Sequence, residues 1–349
     1  MSDPAPAPAP LPERHGRIST LPDPRLVDWG PQRRARIVQV AFWGNLISQM
    51  GIILTGGLVR LTGSGLGCST WPHCEPGQFV PELTLEAGIH PLVEYGNRSL
   101  TGVLSIFAVL LLVVAWRWLR HKGVGFLRLA TVPLIGTLLQ ALIGMVVVKA
   151  DLHPGVVSPH FLLSPILAAA SMVLVVRLYD GDGVLRLAAP RLALLLFAPL
   201  AAMGFTVLVL GTIVTGTGPH SGDAGDIVRI TVNPVLISRL HAVAVWIFCG
   251  LLVALMVVLH RAGVRKEARA AAWLLLGVTV AQGIVGYIQY FTGLPELVVF
   301  LHLVGAAMFA AAIALVGARL VTWQAPEEGP ATDIATGEQL DAADTAGAR

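Results

Sequence analysis

Eight uninterrupted apolar runs divide most of the sequence, and no other feature constrains its fold so strongly. They cover roughly residues 37–59, 92–116, 129–148, 156–179, 192–214, 235–259, 270–291 and 297–320. Each has about the 20 residues that an α-helix needs to cross a hydrocarbon core some 30 Å thick. Backbone N–H and C=O groups in hydrocarbon must bond to one another, so only helices and closed barrels span it. Barrel strands alternate polar and apolar residues, and these runs do not. The chain is 55% hydrophobic and 13% charged, against about 25% charged in an ordinary soluble domain. So few polar side chains cannot cover a water-facing surface, which sets aside soluble multi-domain, disordered and coiled-coil architectures, and with them nucleic-acid binding. The expected fold is an all-α membrane protein with eight transmembrane helices.

The net charge of +3 carries no weight as a sign of an acidic partner, because Lys and Arg in such a chain record loop orientation. Arg33, Arg34 and Arg36 precede the first run. Arg117, Arg120 and Lys122 follow the second, Arg186 and Arg191 the fourth, and Arg261, Arg265, Lys266 and Arg269 the sixth. The opposite loops carry isolated charges such as Arg60, Lys149 and Arg229. Both termini are therefore expected in the cytoplasm. The loop containing Cys68 and Cys74 then lies outside, where thiols oxidise, so this pair is expected to form a disulfide. Residues 1–36 and 321–349 read as disordered cytoplasmic tails, the first opening on a Pro/Ala alternation. The N-terminal segment lacks an amphipathic, Arg- and Ser-rich leader, which favours a bacterial plasma membrane.

The sequence also repeats. Gln140-Ala-Leu-Ile-Gly144 in the third run matches Gln282-Gly-Ile-Val-Gly286 in the seventh, and a histidine follows each glutamine at the same spacing, His160 and His302. Thr62-Gly-Ser-Gly65 after the first run matches Thr215-Gly-Thr-Gly218 after the fifth, and Asn97 corresponds to His241. Two tandem pseudo-symmetric four-helix bundles are implied, over residues 37–180 and 192–320, joined by a cytoplasmic linker at 181–191. An even number of spans in each half makes the repeat parallel.

Of ten histidines, His160, His241 and His302 sit inside apolar runs, where an imidazole needs a partner. An ordinary interhelical hydrogen bond would supply one. All three, however, fall near the external start of even-numbered helices and share one depth. Two imidazoles on facing helices of one bundle hold a haem iron axially, so His241 and His302 point to a b-type haem in the second half. Zinc would need about four ligands, and the second half offers no third candidate at that depth. In the first half His160 is opposed by Asn97, a poor iron ligand, with Glu94 one turn before it and Arg98 beside it. This half reads as a second tetrapyrrole pocket with one strong ligand and an adjacent acid; the bland alternative is that Glu94 only pairs with Arg98. Arg98 and Arg239 are placed to pair haem propionates, or are simply interfacial arginines. Gln140 and Gln282 serve equally as interhelical donors.

These residues carry a resemblance. Gly56-Gly-Leu-Val-Arg-Leu-Thr-Gly-Ser-Gly-Leu-Gly-Cys68, Trp71-Pro72, Cys74, Glu94-Tyr-Gly-Asn-Arg98, Val157-Ser-Pro-His160, Gly216-Thr-Gly-Pro-His220 and Phe300-Leu-His302 together resemble the haem A synthase family of the cytochrome oxidase assembly pathway, over about residues 37–320. The resemblance implies an eight-helix oxidoreductase that converts the C8 methyl group of haem O to a formyl group by successive hydroxylations. It implies a cofactor haem b on His241 and His302, a substrate pocket with Glu94 and His160, and a disulfide between Cys68 and Cys74. Haem O synthase, the protohaem farnesyltransferase, and an unidentified electron donor are the implied partners. The chain departs from the family pattern at Asn97, where many members carry histidine, and has no cysteine pair after the fifth run. The rival readings are a di-haem b-type electron-transfer protein, which has no use for Glu94, and an alternating-access transporter, which would gather its polar groups nearer the midplane.

Overall fold

The computed structural model describes residues 30–81, 88–220, 222, 223, 225 and 228–324. All eight apolar runs are helices: α1 Pro31–Leu61, α2 His90–Trp118, α3 Val124–Lys149, α4 Pro154–Tyr179, α5 Arg191–Thr217, α6 Pro234–Arg261, α7 Lys266–Phe291 and α8 Glu296–Arg319. Each is long and apolar enough to cross a membrane. Proline occupies the first turn of α1, α2, α4 and α6, where its missing N–H breaks no bond because the first amides of a helix have no intrahelical acceptor. Asn233 caps α6 by accepting from the Val235 and Leu236 amides. Large apolar side chains such as Trp116, Leu195 and Phe291 remain exposed on the outer helix faces, which suits contact with lipid rather than water.

The helices pack as two successive rings. α1 lies against α2 and α4, and α3 closes the ring by touching α2 and α4; α5 to α8 repeat that arrangement. The second and fourth helices of each ring, α2 and α4 or α6 and α8, therefore stand on a diagonal. The rings join where α8 meets α1 and α4, and where α4 meets α5. At the end where the even-numbered helices begin, the two halves are also tied by hydrogen bonds. The Arg60 guanidinium donates to the Thr215 carbonyl at 2.9 Å and the Gly65 amide to the Gly222 carbonyl at 2.7 Å.

Apolar packing is uneven along the bundles. The first core gathers around Phe42, Leu46, Leu111, Phe126 and Leu174, and the second around Phe248, Leu252, Leu255, Leu275 and Val316. Both lie from mid-depth toward the opposite end, below the level of the three intramembrane histidines.

At that opposite end the structure departs from the linker and tail expected from sequence. Val184–Leu187 in the 181–191 segment forms a strand, β1, paired antiparallel with a second strand, β2, at Val321–Gln324. The first residues of the expected 321–349 tail are thus ordered, because Trp323 stacks on the buried Arg177 guanidinium at 3.8 Å and Asp180 pairs with Arg319 at 3.6 Å. Four-residue strands give too little alternation to register against a helical background. The other tail segments, 1–29 and 325–349, lie outside the described residues.

Candidate functional site: a line of imidazoles at one depth

His160, His241 and His302 each lie within seven residues of the start of α4, α6 or α8, about 10 Å down a helix that rises 1.5 Å per residue. Asn97 lies equally deep in α2. Each imidazole rests against a glycine of the preceding helix. A Cβ built on Gly144, Gly211 or Gly286 would stand 3.4 Å from Cε1 of His160, His241 or His302 respectively. The glycine of the repeated Gln-x-x-x-Gly segment is thereby explained: it strips one side of α3 and α7 so that a ring from the next helix lies on the backbone. Gly211 does the same on α5, although it lies outside the recognisable repeat.

The Nδ1 atoms of all three rings are buried without a hydrogen-bond partner among the described residues. His302 lies within electrostatic range of His241, so the diagonal α6/α8 pair brings two imidazoles to one level. Unpaired imidazoles in an apolar bundle are costly, and binding iron offsets that cost. Among the described residues, no group of three or more His, Cys, Asp or Glu side chains converges as a metal cage. Two axial imidazoles above an apolar core suit a tetrapyrrole, which brings its own four nitrogens, better than they suit zinc.

The first half is built differently. Glu94 is 4% exposed and both its carboxylate oxygens are engaged. Oε1 pairs with the Arg98 guanidinium through Nε and Nη2, and Oε2 accepts the Cys68 amide at 2.7 Å. Arg98 also donates to the Thr70 and His73 carbonyls at 2.7 and 3.4 Å. Cys68 and Cys74 are disulfide-bonded. The disulfide loop is therefore clamped onto the start of α2 by three backbone contacts, made by two side chains that an ion pair within α2 holds together, which residue spacing did not foretell. Asn97 turns to α1, where its Oδ1 accepts the Thr55 hydroxyl at 2.8 Å. Buried amides cross-link this half at mid-depth: Asn45 to Ser171 at 2.8 Å, Gln49 to Thr137 at 3.1 Å and Gln140 to Ser164 at 2.6 Å.

Other sequence candidates stand apart. Arg239 is exposed and makes no hydrogen bond or ion pair among the described residues, so it is free to meet an anionic group at the membrane surface. Gln282 packs over Gly305, where a Cβ would collide with its amide. It lines an apolar groove of about 410 Å³ between α7 and α8 together with Trp273 and Met308. That groove faces outward, away from the imidazoles, and has none of their chemistry.

Residues 39–313 match the cytochrome oxidase assembly protein family. The chain is similar to a heme A synthase of Listeria welshimeri, 32% identical over 138 residues, which are 39% of this chain and 44% of that protein. It is also similar to heme A synthases of Lysinibacillus sphaericus and Bacillus licheniformis, 35% and 30% identical over 141 residues, or 39% of this chain and 43% of each relative. The matched stretches thus span less than half the length of these relatives.

Proposed function

The chain belongs to the cytochrome oxidase assembly protein family, and from that premise we propose that it is a haem A synthase, oxidising the C8 methyl group of haem O to a formyl group. The observation that carries the reading is the contrast at one depth between two diagonal imidazoles in α5–α8 and a single imidazole with a buried carboxylate in α1–α4. An electron carrier has no use for a buried carboxylate beside a singly ligated pocket. An enzyme needs one pocket that holds a cofactor and another that leaves its ligand reactive.

In this reading His241 and His302 would hold haem b, with Arg239 free to pair a propionate. Haem b bound there supplies electron transfer to and from the reacting half. His160 binds the iron of haem O, with Asn97 and Arg98 completing the substrate pocket. Methyl oxidation moves protons as well as electrons, and the Glu94 carboxylate is assigned to proton transfer or to orienting the reacting edge of the porphyrin. Proton transfer is assigned to Oε2, whose other partner is the Cys68 amide, while Oε1 stays with Arg98 and keeps the carboxylate oriented. The disulfide loop, carrying Trp71 and Pro72, acts as a lid that excludes water from the reacting edge.

The setting that fits is a plasma membrane with both termini in the cytoplasm, haem O arriving from haem O synthase and a separate electron donor serving the second-half haem. Expression in a host that makes haem O but no haem A tests the reading. Haem A should appear in the membranes; continued accumulation of haem O alone, with the protein folded and carrying haem B, would instead favour the di-haem electron carrier.

A further inference from the structure

The two halves place different groups at the position facing the α4 or α8 histidine. In the second half it is His241, lying against Gly211 of α5. In the first half it is Asn97, held by Thr55 of α1 at 2.8 Å. The Thr55 hydroxyl also lies 3.3 Å from the Ile52 carbonyl and 3.4 Å from that of Gly51, but its single hydrogen goes to the nearer Asn97 Oδ1. Where α5 clears space for an imidazole, α1 presents a hydroxyl that grips a shorter side chain. The carboxamide nitrogen of Asn97 has no basic lone pair, since it is conjugated with the carbonyl, and Oδ1 is committed to Thr55. Neither atom is a strong ligand for haem iron. Nδ2, with its two N–H bonds, makes no hydrogen bond among the described residues.

We propose that Asn97 keeps the substrate haem five-coordinate, with His160 as its sole protein ligand, and lends the Nδ2 amide as a hydrogen-bond donor to a small molecule bound on the open face. This rests on the reading of the first half as the haem O pocket and says how that pocket differs from its neighbour. An open coordination position admits an external ligand, whereas two imidazoles would close it. Thr55 is the positioning residue: by holding Oδ1 it fixes which end of the carboxamide faces the pocket. Glu94, one turn away, is held by Arg98 and the Cys68 amide, whereas the Asn97 Nδ2 hydrogens have no acceptor among the described residues.

The test uses the full-length protein carrying its second-half haem, loaded with haem O, reduced and exposed to carbon monoxide. Wild type should bind one CO per chain at haem O, while the His241/His302 haem stays low-spin and refuses it. Asn97→His should convert haem O to a low-spin form that no longer takes CO, with the second-half spectrum unchanged as the check on folding. Asn97→Leu should keep CO binding but raise the C–O stretching frequency, because the amide donor is gone; Thr55→Val should broaden that band without changing the spin state. Low-spin, CO-inert haem O in the wild type would overturn the proposal while leaving haem O binding intact. An unchanged C–O band in Asn97→Leu would overturn the donor role. Failure of the wild type to bind haem O at all would sink the parent reading, and the proposal with it, through a visibly different result.

Discussion

The two four-helix rings share a packing plan and differ in what stiffens it. In α5–α8 the histidine level rests on glycine contacts and an apolar core, and its buried threonines, Thr212 and Thr279, bond within their own helices. In α1–α4 buried amides tie α1 to α3 and α4, a carboxylate and a guanidinium hold the disulfide loop, and Thr55 fixes Asn97. Interhelical hydrogen bonds in a membrane are each worth only about 1 kcal/mol, so this network adds positional control more than stability. One half is built to hold a group passively, and the other to control the position of each polar atom around it.

Removing either imidazole of the second half gives the largest contrast. His302→Ala or His241→Ala should abolish the low-spin b-type spectrum of the purified protein and leave haem O binding in the first half. A wild-type spectrum in both variants would break the comparison. Glu94→Gln comes next. It keeps the volume and an acceptor oxygen but loses the charge that pairs with Arg98, and losing one partner of a buried pair costs about 3–5 kcal/mol. The variant should retain the second-half haem, accumulate haem O or a partly oxidised product, and expose the loop to proteolysis; normal haem A yield would leave Glu94 as a clamp for Arg98 only. Opening the disulfide with Cys68→Ser and Cys74→Ser should cost about 2 kcal/mol for so short a loop. It should reduce haem O retention without altering the b-type spectrum, and an equal effect on both haems would show that the loop serves the whole molecule. The smallest effect is expected from Gly211→Ala and Gly286→Ala. Their added methyl groups would meet the rings at 3.4 Å, ordinary contact, so the haem should stay with a shifted potential, while Gly211→Leu should expel it.

The spans, the depth of the histidines and the cysteine pair were legible because each is written in short-range sequence: run length, position within a run, and residue spacing. The role of the Gln-x-x-x-Gly repeat was half legible. The motif was visible, but that its glycine carries the next helix's imidazole depends on packing between helices. The grip of Thr55 on Asn97 and the reach of Arg98 to the Thr70 and His73 carbonyls left no trace, since they join residues 42, 28 and 25 positions apart and each residue type is common in helices. The β1/β2 pair was missed for the same reason: Val184 and Gln324 meet only after the helices between them have folded.

The central claim is that the two rings bind chemically different haems. Extraction and chromatography of the haems from the purified protein, produced with a source of haem O, tests it most directly, comparing wild type with His160→Ala and His302→Ala. The account predicts haem B together with haem O or A in the wild type, selective loss of the O or A component in His160→Ala, and selective loss of haem B in His302→Ala. Haem B alone in the wild type, reduced equally by the two substitutions, would contradict it.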